Sequence, residues 1–233
     1  MCHMSPEWVT AIGTLLLAVV AFAAIFTDQI REWIRHPEWK VNFQPTHPDC
    51  NRIRTDIRLQ IGTEIQNIAS AEMHYVRARV QNVGKVGAED VEVSVLEVRH
   101  KGDADRVFKR MAMNTPMNLI WAHFSSHVLP RLPVGSERHI DIGHVVDPQK
   151  RSKFSGEDRP GSDPSKTLFS LAFFVKANTA EYLLDPGEYE IDFQVFAANS
   201  KPSRVFTFHL NHTGKWFEDE AQMYRDGLGL SVN

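Results

Sequence analysis

Cysteine is nearly absent: Cys2 and Cys50 are the two in 233 residues. One lies in the N-terminal tip and the other in a polar stretch, His47-Pro48-Asp49-Cys50-Asn51. A disulfide framework and a cysteine-based zinc cluster are therefore excluded, and the count fits a reducing compartment. Charge of one sign is also lacking. With a formal net charge of -3 there is no basic excess to track a phosphate backbone, so no nucleic-acid partner is expected. Reactive motifs are missing as well. There is no Gly-x-Ser-x-Gly, no cysteine in a catalytic context and no paired carboxylate standing above the Asp/Glu background. Gly84 and Gly87 fall between two strand-like runs, which is the wrong place for a phosphate loop. No internal repeat is evident. Disorder is excluded by 42% hydrophobic against 24% charged residues.

What is present begins with a long apolar run. From Trp8 to Phe26 the chain reads WVTAIGTLLLAVVAFAAIF, without a charge. About nineteen residues make roughly 28 Å of helix, close to the hydrocarbon thickness of a bilayer. A buried core helix of this length would carry a polar stripe, and none is visible. Ala21-Phe22-Ala23 resembles a signal-peptidase site, yet Met1 to Glu7 contains no Lys or Arg and the apolar run continues past the supposed cut. The expectation is one transmembrane helix, with Trp8, Leu15, Leu16, Leu17, Phe22 and Phe26 in its apolar body. An interfacial extension follows to residue 36, where Trp33 supplies an aromatic anchor and Arg31 and Arg35 lie near lipid phosphates. Pro37 ends it. Basic residues follow the run and none precedes it. The positive-inside rule then predicts residues 1–7 as an extracytoplasmic tip, with the C-terminal part cytoplasmic at the inner membrane.

Beyond Pro37 the hydrophobic period drops to two. Trp39, Val41 and Phe43 alternate with polar neighbours, as do residues 53–59 less cleanly. Met73–Val80 and Asp90–Val95 alternate on either side of an Asn/Gly-rich turn, which predicts adjacent antiparallel strands. Further strands are predicted at 138–143, at 189–195 after the Pro186-Gly187 turn, and at 204–210. The near-continuous apolar run Leu168–Val175 predicts a central strand. Between them Asp147–Lys166, rich in Pro, Gly, Ser and charge, reads as a long mobile loop and the foremost contact region. One-sided alternation predicts a sandwich over residues 38–212. The tail, 213–233, reads as a short helix over Lys215–Tyr224 with acidic residues in its first turn. The fold class expected is mainly β: an antiparallel Ig-like β-sandwich behind one N-terminal transmembrane helix, with a short C-terminal helix.

The stretch Tyr75–Val93, with Asn82-Val83-Gly84 and then Asp90-Val91, resembles the immunoglobulin-like CARDB domains, the bacterial adhesion-related sandwiches. Leu184-Asp185-Pro186-Gly187-Glu188-Tyr189 resembles the Pro-Gly turn before their closing strands. The overall plan is also similar to uncharacterised prokaryotic membrane-anchored proteins. The resemblance covers about half the chain and implies a binding or spacer module more than any particular activity.

His139-x-Asp141-x-x-His144 and His209-x-x-His212 have the best metal-like spacings. His139 and Asp141 would share a strand face. With eleven histidines in the chain, close pairs arise by chance. Neither a metal nor a cofactor is expected. The function expected is a tethered, non-enzymatic binding module, whose partners are the lipid bilayer and a protein or a second copy. The alternative is a membrane effector, in bacterial defence or stress, whose helices cluster and perturb the bilayer. Gly13, Ala18, Ala21 and Ala24 offer small residues for such clustering.

Overall fold

The computed structural model describes residues 6–25, 27, 35–61, 64–102 and 106–233, with the side chains of Pro6, Val9 and 57–69 left out. The chain divides into two compact units, 1–36 and 37–233.

In the first unit, α1 spans Pro6–Ile25. Proline at the first helical position and Glu7 in the first turn suit a helix start. Its apolar side chains stand exposed all round, Leu16 at 60%, Leu17 at 71% and Phe22 at 63% among them. The hydroxyls of Thr14 and Thr27 donate back to the carbonyls of Thr10 (2.9 Å) and Ala23 (2.6 Å), so neither depends on water. Among the described residues no helix is long and apolar enough to cross a membrane. The spanning helix expected from Trp8 to Phe26 is unsupported on those terms. Phe26, Arg31 and Trp33 lie outside the described residues, while Arg35 is an exposed bend residue.

The second unit is mainly β. In chain order its strands are β1 (Trp39–Asn42), β2 (Cys50–Ile61), β3 (Glu64–Asn82), β4 (Ala88–Lys101), β5 (Phe108–Arg110), β6 (Met117–Asn118), β7 (Ile120–Trp121), β8 (Leu129–Leu132), β9 (Glu137–Val146), β10 (Phe169–Leu171), β11 (Leu183–Leu184), β12 (Gly187–Phe196), β13 (Phe206–His212) and β14 (Leu228–Val232). One antiparallel sheet runs β1-β3-β9-β10-β11, with β2 also on β3 and β7 on β9. The other runs β14-β13-β12-β4-β5, with β6 and β8 also on β4. Alternation does the work: Tyr189, Ile191, Phe193 and Val195 of β12 are buried while the residues between them are only partly so. Val76, Ala78, Val80, Ile140 and Phe169 of one sheet and Val91, Val93, Phe193 and Phe208 of the other share one core. Trp121 sits fully buried within it and donates its indole N–H to the Val91 carbonyl at 3.0 Å, so the ring contributes its area without an unmet donor.

Four expectations for this unit need correction. The runs at 73–80 and 90–95 are strands, but they lie in different sheets and are not hydrogen-bonded neighbours. Asn82 directs the crossing. Its amide donates to the carbonyls of Val86 (2.8 Å) and Leu132 (3.1 Å) and accepts from Gly84 N–H (3.0 Å), building the corner from a side chain. The run at 168–175 is not a long central strand. β10 is three residues long and next to the sheet's end, and Phe174 and Val175 are exposed.

The third concerns Asp147–Lys166, which is fastened at many points. Phe154 packs with Ala71, Met73 and Val146 in a second cluster. Arg151, 2% exposed, is the hub of the segment: Nε meets Asp158 at 3.1 Å, and Nη2 donates to Ser162 Oγ and the Asp163 carbonyl, both at 2.8 Å. Nη1 donates to the Lys166 carbonyl. The segment is a lid on the outer face of the sheet.

The tail is helical later and more briefly than expected. α2 covers Glu220–Gln222, capped by Asp219, whose carboxylate accepts from Gln222 N–H at 2.7 Å. A π-turn at Met223–Gly227 follows and leads into β14.

Candidate functional site

β3 and β9 pair antiparallel with Tyr75 opposite His144, Arg77 opposite Asp141 and Arg79 opposite His139. Cross-strand partners share a face, so these six side chains form a ladder on one side of the sheet. Simple alternation would send His144 to the face opposite His139 and Asp141. A bulge between Val76 and Arg77, which leaves Ile142 unpaired, brings it round. Gly143 makes room for the next strand: a Cβ there would meet the Phe169 ring and the Ser170 carbonyl oxygen at 2.5 Å. Ser170 of β10 then sits opposite His144.

At one end of the ladder Asp49 is fully buried, although its sequence neighbours suggested an ordinary polar loop. Its carboxylate meets Arg79 Nε at 3.0 Å and His139 Nε2 at 3.1 Å, and accepts the Gln44 N–H at 2.8 Å. In the middle, Arg77 Nε and Asp141 pair at 2.7 Å. The Arg77 guanidinium also lies over the Tyr75 ring, 5.4 Å from its centroid. Tyr75 stacks on His144 with centroids 4.9 Å apart.

At the other end the lid closes on the ladder. Glu157 meets His144 Nε2 at 3.1 Å and Lys176 Nζ at 2.8 Å. Lys176 also reaches Ser170 Oγ at 3.3 Å and lies over the Tyr182 ring. Tyr182 O–H donates to the Gly156 carbonyl at 3.0 Å. Burial by itself would raise the Glu157 carboxyl. The hydrogen bond and charge of His144, with the Lys176 ammonium, outweigh it and bring the group down to about 2. Glu157 is thus an ionised clamp.

A second polar knot closes the end of the sandwich. His74 is fully buried, donates Nε2–H to the Phe217 carbonyl (3.2 Å), and packs edge-on against Trp216 and Tyr224. Tyr224 O–H is 2.8 Å from the Tyr75 carbonyl and 3.0 Å from that of Asn51, and burial pushes its ionisation upward. Beside this plug an open cleft of about 550 Å³ is lined by Gln149, Lys166, Lys215 and Trp216 among others.

The candidate metal residues are therefore divided: His139 goes to Asp49, Asp141 to Arg77 and His144 to Glu157. His209 pairs with Asn233, while His212 is buried between Thr167 and the Asp185 carbonyl. Among the described residues no group of three or more His, Cys, Asp or Glu is placed to hold a metal ion. Sequence reasoning missed Asp49, Glu157 and Lys176. The available signal was Arg77 and Arg79 on one face of a strand, which demanded partners.

No family of known proteins, no curated protein and no solved structure matches the chain.

Proposed function

We propose that this chain is a membrane-tethered, non-enzymatic binding module, with α1 as the anchor and an Ig-like, CARDB-like sandwich as the working part on the cytoplasmic side. The observation that carries the reading is the contrast between the two units. α1 exposes Leu15, Leu16, Leu17, Val20 and Phe22, whereas the sandwich buries its own core. Apolar side chains presented on all sides of a helix suit lipid better than water. The uncharged sequence from Trp8 to Phe26 supports the same reading, as does the basic flank after it. The ladder's carboxylates, Asp49, Asp141 and Glu157, are turned onto cations of the same chain, which suits a structural role for them.

The test is fractionation of the full chain expressed in a bacterium, with C-terminal reporters. The expected result is retention in membranes after alkaline carbonate washing, a fluorescent C-terminal fusion and an inactive C-terminal alkaline phosphatase fusion. Replacing Leu16 and Val20 by Glu should release a folded protein. Release of the unaltered chain by carbonate would remove the anchor, and an active phosphatase would overturn the cytoplasmic placement.

A further inference from the structure

Val83, Phe124 and Val134, three of the sandwich's exposed large apolar side chains, gather at one end. β3 finishes there while β1 and β9 begin, with Trp39 opposite Asn82 and Glu137 opposite Gln81. Val83, 46% exposed, follows β3 and donates its N–H to the Glu38 carbonyl at 2.8 Å. Val134, 51% exposed, stands in the turn before β9, where Gly135 N–H donates to the Asn82 carbonyl at 2.8 Å. β7 runs toward the same end, with Trp121 opposite Ile140 and Ala122 N–H on the His139 carbonyl at 3.0 Å. The turn after it carries Phe124, 51% exposed, between His123 (φ 68°) and Ser125 (φ 49°). Both flanking residues lie in the left-handed region, so the backbone accepts strain where it presents the ring.

The charges at this end are mainly basic at its extremity. The turns 81–87 and 131–136 carry Lys85 and Arg131 and no acid. They adjoin, since a Cβ on Gly87 would lie 3.6 Å from Arg131 Nε. Lys40, Lys85, Arg131 and Arg138 are all exposed, while the exposed acids Glu38, Glu89 and Asp90 lie outside the two turns. Glu137 is engaged by Arg79. The chain also enters the sandwich here. Glu38 follows Phe26, the last residue of the uncharged run, by twelve positions. Twelve residues span at most about 40 Å, so the anchor keeps this end, of all parts of the sandwich, on the shortest tether to the bilayer.

We infer that this end of the sandwich is a second membrane contact, which docks on the anionic surface of the bilayer that holds α1. Apolar tips interleaved with ammonium and guanidinium groups suit the headgroup layer: Val83, Phe124 and Val134 enter among the acyl ends while Lys85 and Arg131 stay with the phosphates. A protein partner would need a matching surface, whereas the tether supplies the lipid at high local concentration. The inference rests on the anchored reading above, and the experiment separates the two.

The full chain, with Cys2→Ser, is placed in phosphatidylcholine vesicles with or without phosphatidylserine. Cys50 is fully buried and stays unlabelled. A solvent-sensitive fluorophore is attached in turn at V83C, F124C, V134C and V107C. Val107 is also exposed, at 59%, but lies at the opposite end, where Lys101 of β4 meets Phe108. The expected result in the anionic vesicles is a blue shift at 83, 124 and 134, with loss of most emission to nitroxide-bearing lipids, and neither at 107. K85Q/R131Q should lower the ratio of docked to undocked chain about thirtyfold, read at F124C, at roughly 1 kcal/mol for each basic residue removed. Near-ultraviolet dichroism unchanged in that protein confirms that it still folds. Failure of the chain to float with the vesicles would overturn the anchored reading and this contact together. A chain that floats with all four labels in water, or with 107 quenched as much as the rest, would overturn the contact alone. Labels shielded without lipid quenching would assign the end to a protein partner or a second copy, and docking indifferent to phosphatidylserine or to K85Q/R131Q would remove the anionic surface. Either would overturn the inference.

Discussion

At His212, burial removes water from the ring and lowers its pKa to about 4, against the opposing pull of the Asp185 carbonyl. The neutral form fits its neighbours: Nδ1–H donates to that carbonyl at 3.2 Å, and Nε2 accepts from Thr167 O–H at 2.7 Å. A folded pKa below the unfolded value of 6.5 means that protons bind more readily to the unfolded chain. Stability is then fully present above pH 6.5 and declines as pH falls through about 4. The full loss is on the order of 3 kcal/mol, at about 1.36 kcal/mol per pKa unit. Burial lowers His74 as well, so it adds to the same decline. Glu157, depressed from 4.5 to about 2, adds a further loss below pH 4.5. Urea midpoints at pH 7.5, 5.5 and 4.0 should fall stepwise, and H212Q should flatten the upper part. A profile flat from 7.5 to 4 would contradict this account. Arg151 makes the complementary case. Its guanidinium is buried with a carboxylate, a hydroxyl and two carbonyls around it, so R151A strands all of them. The expected cost is about 3 kcal/mol in denaturant unfolding, and R151K should recover little because an ammonium cannot span that fork.

Among the elements, the β9 bulge and the lid depend on each other. Gly143 permits β10 to approach, the bulge turns His144 outward, and His144 holds Glu157 of the lid. G143A drives a methyl into the Phe169 ring and the Ser170 carbonyl, so it should cost more than about 2 kcal/mol and expose the lid to limited proteolysis near Glu157. F154A opens the small cluster under the same lid and should cost about 2–3 kcal/mol. Removal of 148–165 is accordingly expected to destabilise the sandwich, whereas a free surface loop would be dispensable. These relations show what the sequence could and could not tell. Period-two runs announced β9, β12 and β13 because each has one buried face. Nothing in the run around Gly143 announces a bulge, since an extra residue leaves the composition unchanged. The loop of Pro, Gly, Ser and charge looked free because its hub is an arginine, a residue type that is buried only when partners distant in sequence converge on it. The crossing at Asn82 was misread for a similar reason: Asn-x-Gly supports a hairpin and a sheet-to-sheet corner alike, and the Leu132 carbonyl that decides between them is fifty residues away.

For the whole molecule, the decisive fact is that the sandwich completes its own core. Trp39 and Val41 of β1, and Phe43 just after it, pack against the buried cluster, and Phe43 meets Phe208 edge-on with centroids 5.1 Å apart. At the other end of the unit Trp216, Phe217, Leu230 and Val232 pack against the same cluster. A fragment starting at Pro37 therefore retains all that the core uses, and it should be β-rich by circular dichroism and unfold in one cooperative step. A fragment starting at Gln44 discards β1 and with it three apolar side chains, so its midpoint should fall steeply or the fragment should aggregate. The comparison isolates the anchor from the fold. If the Pro37 fragment unfolds broadly or needs detergent to remain dispersed, the apolar helix is part of the folding unit and the tethered-module reading loses its premise. If it folds alone and leaves the membrane fraction while the full chain stays there, anchoring and binding reside in separate parts of the chain, as the contrast between an exposed helix and a filled sandwich implies.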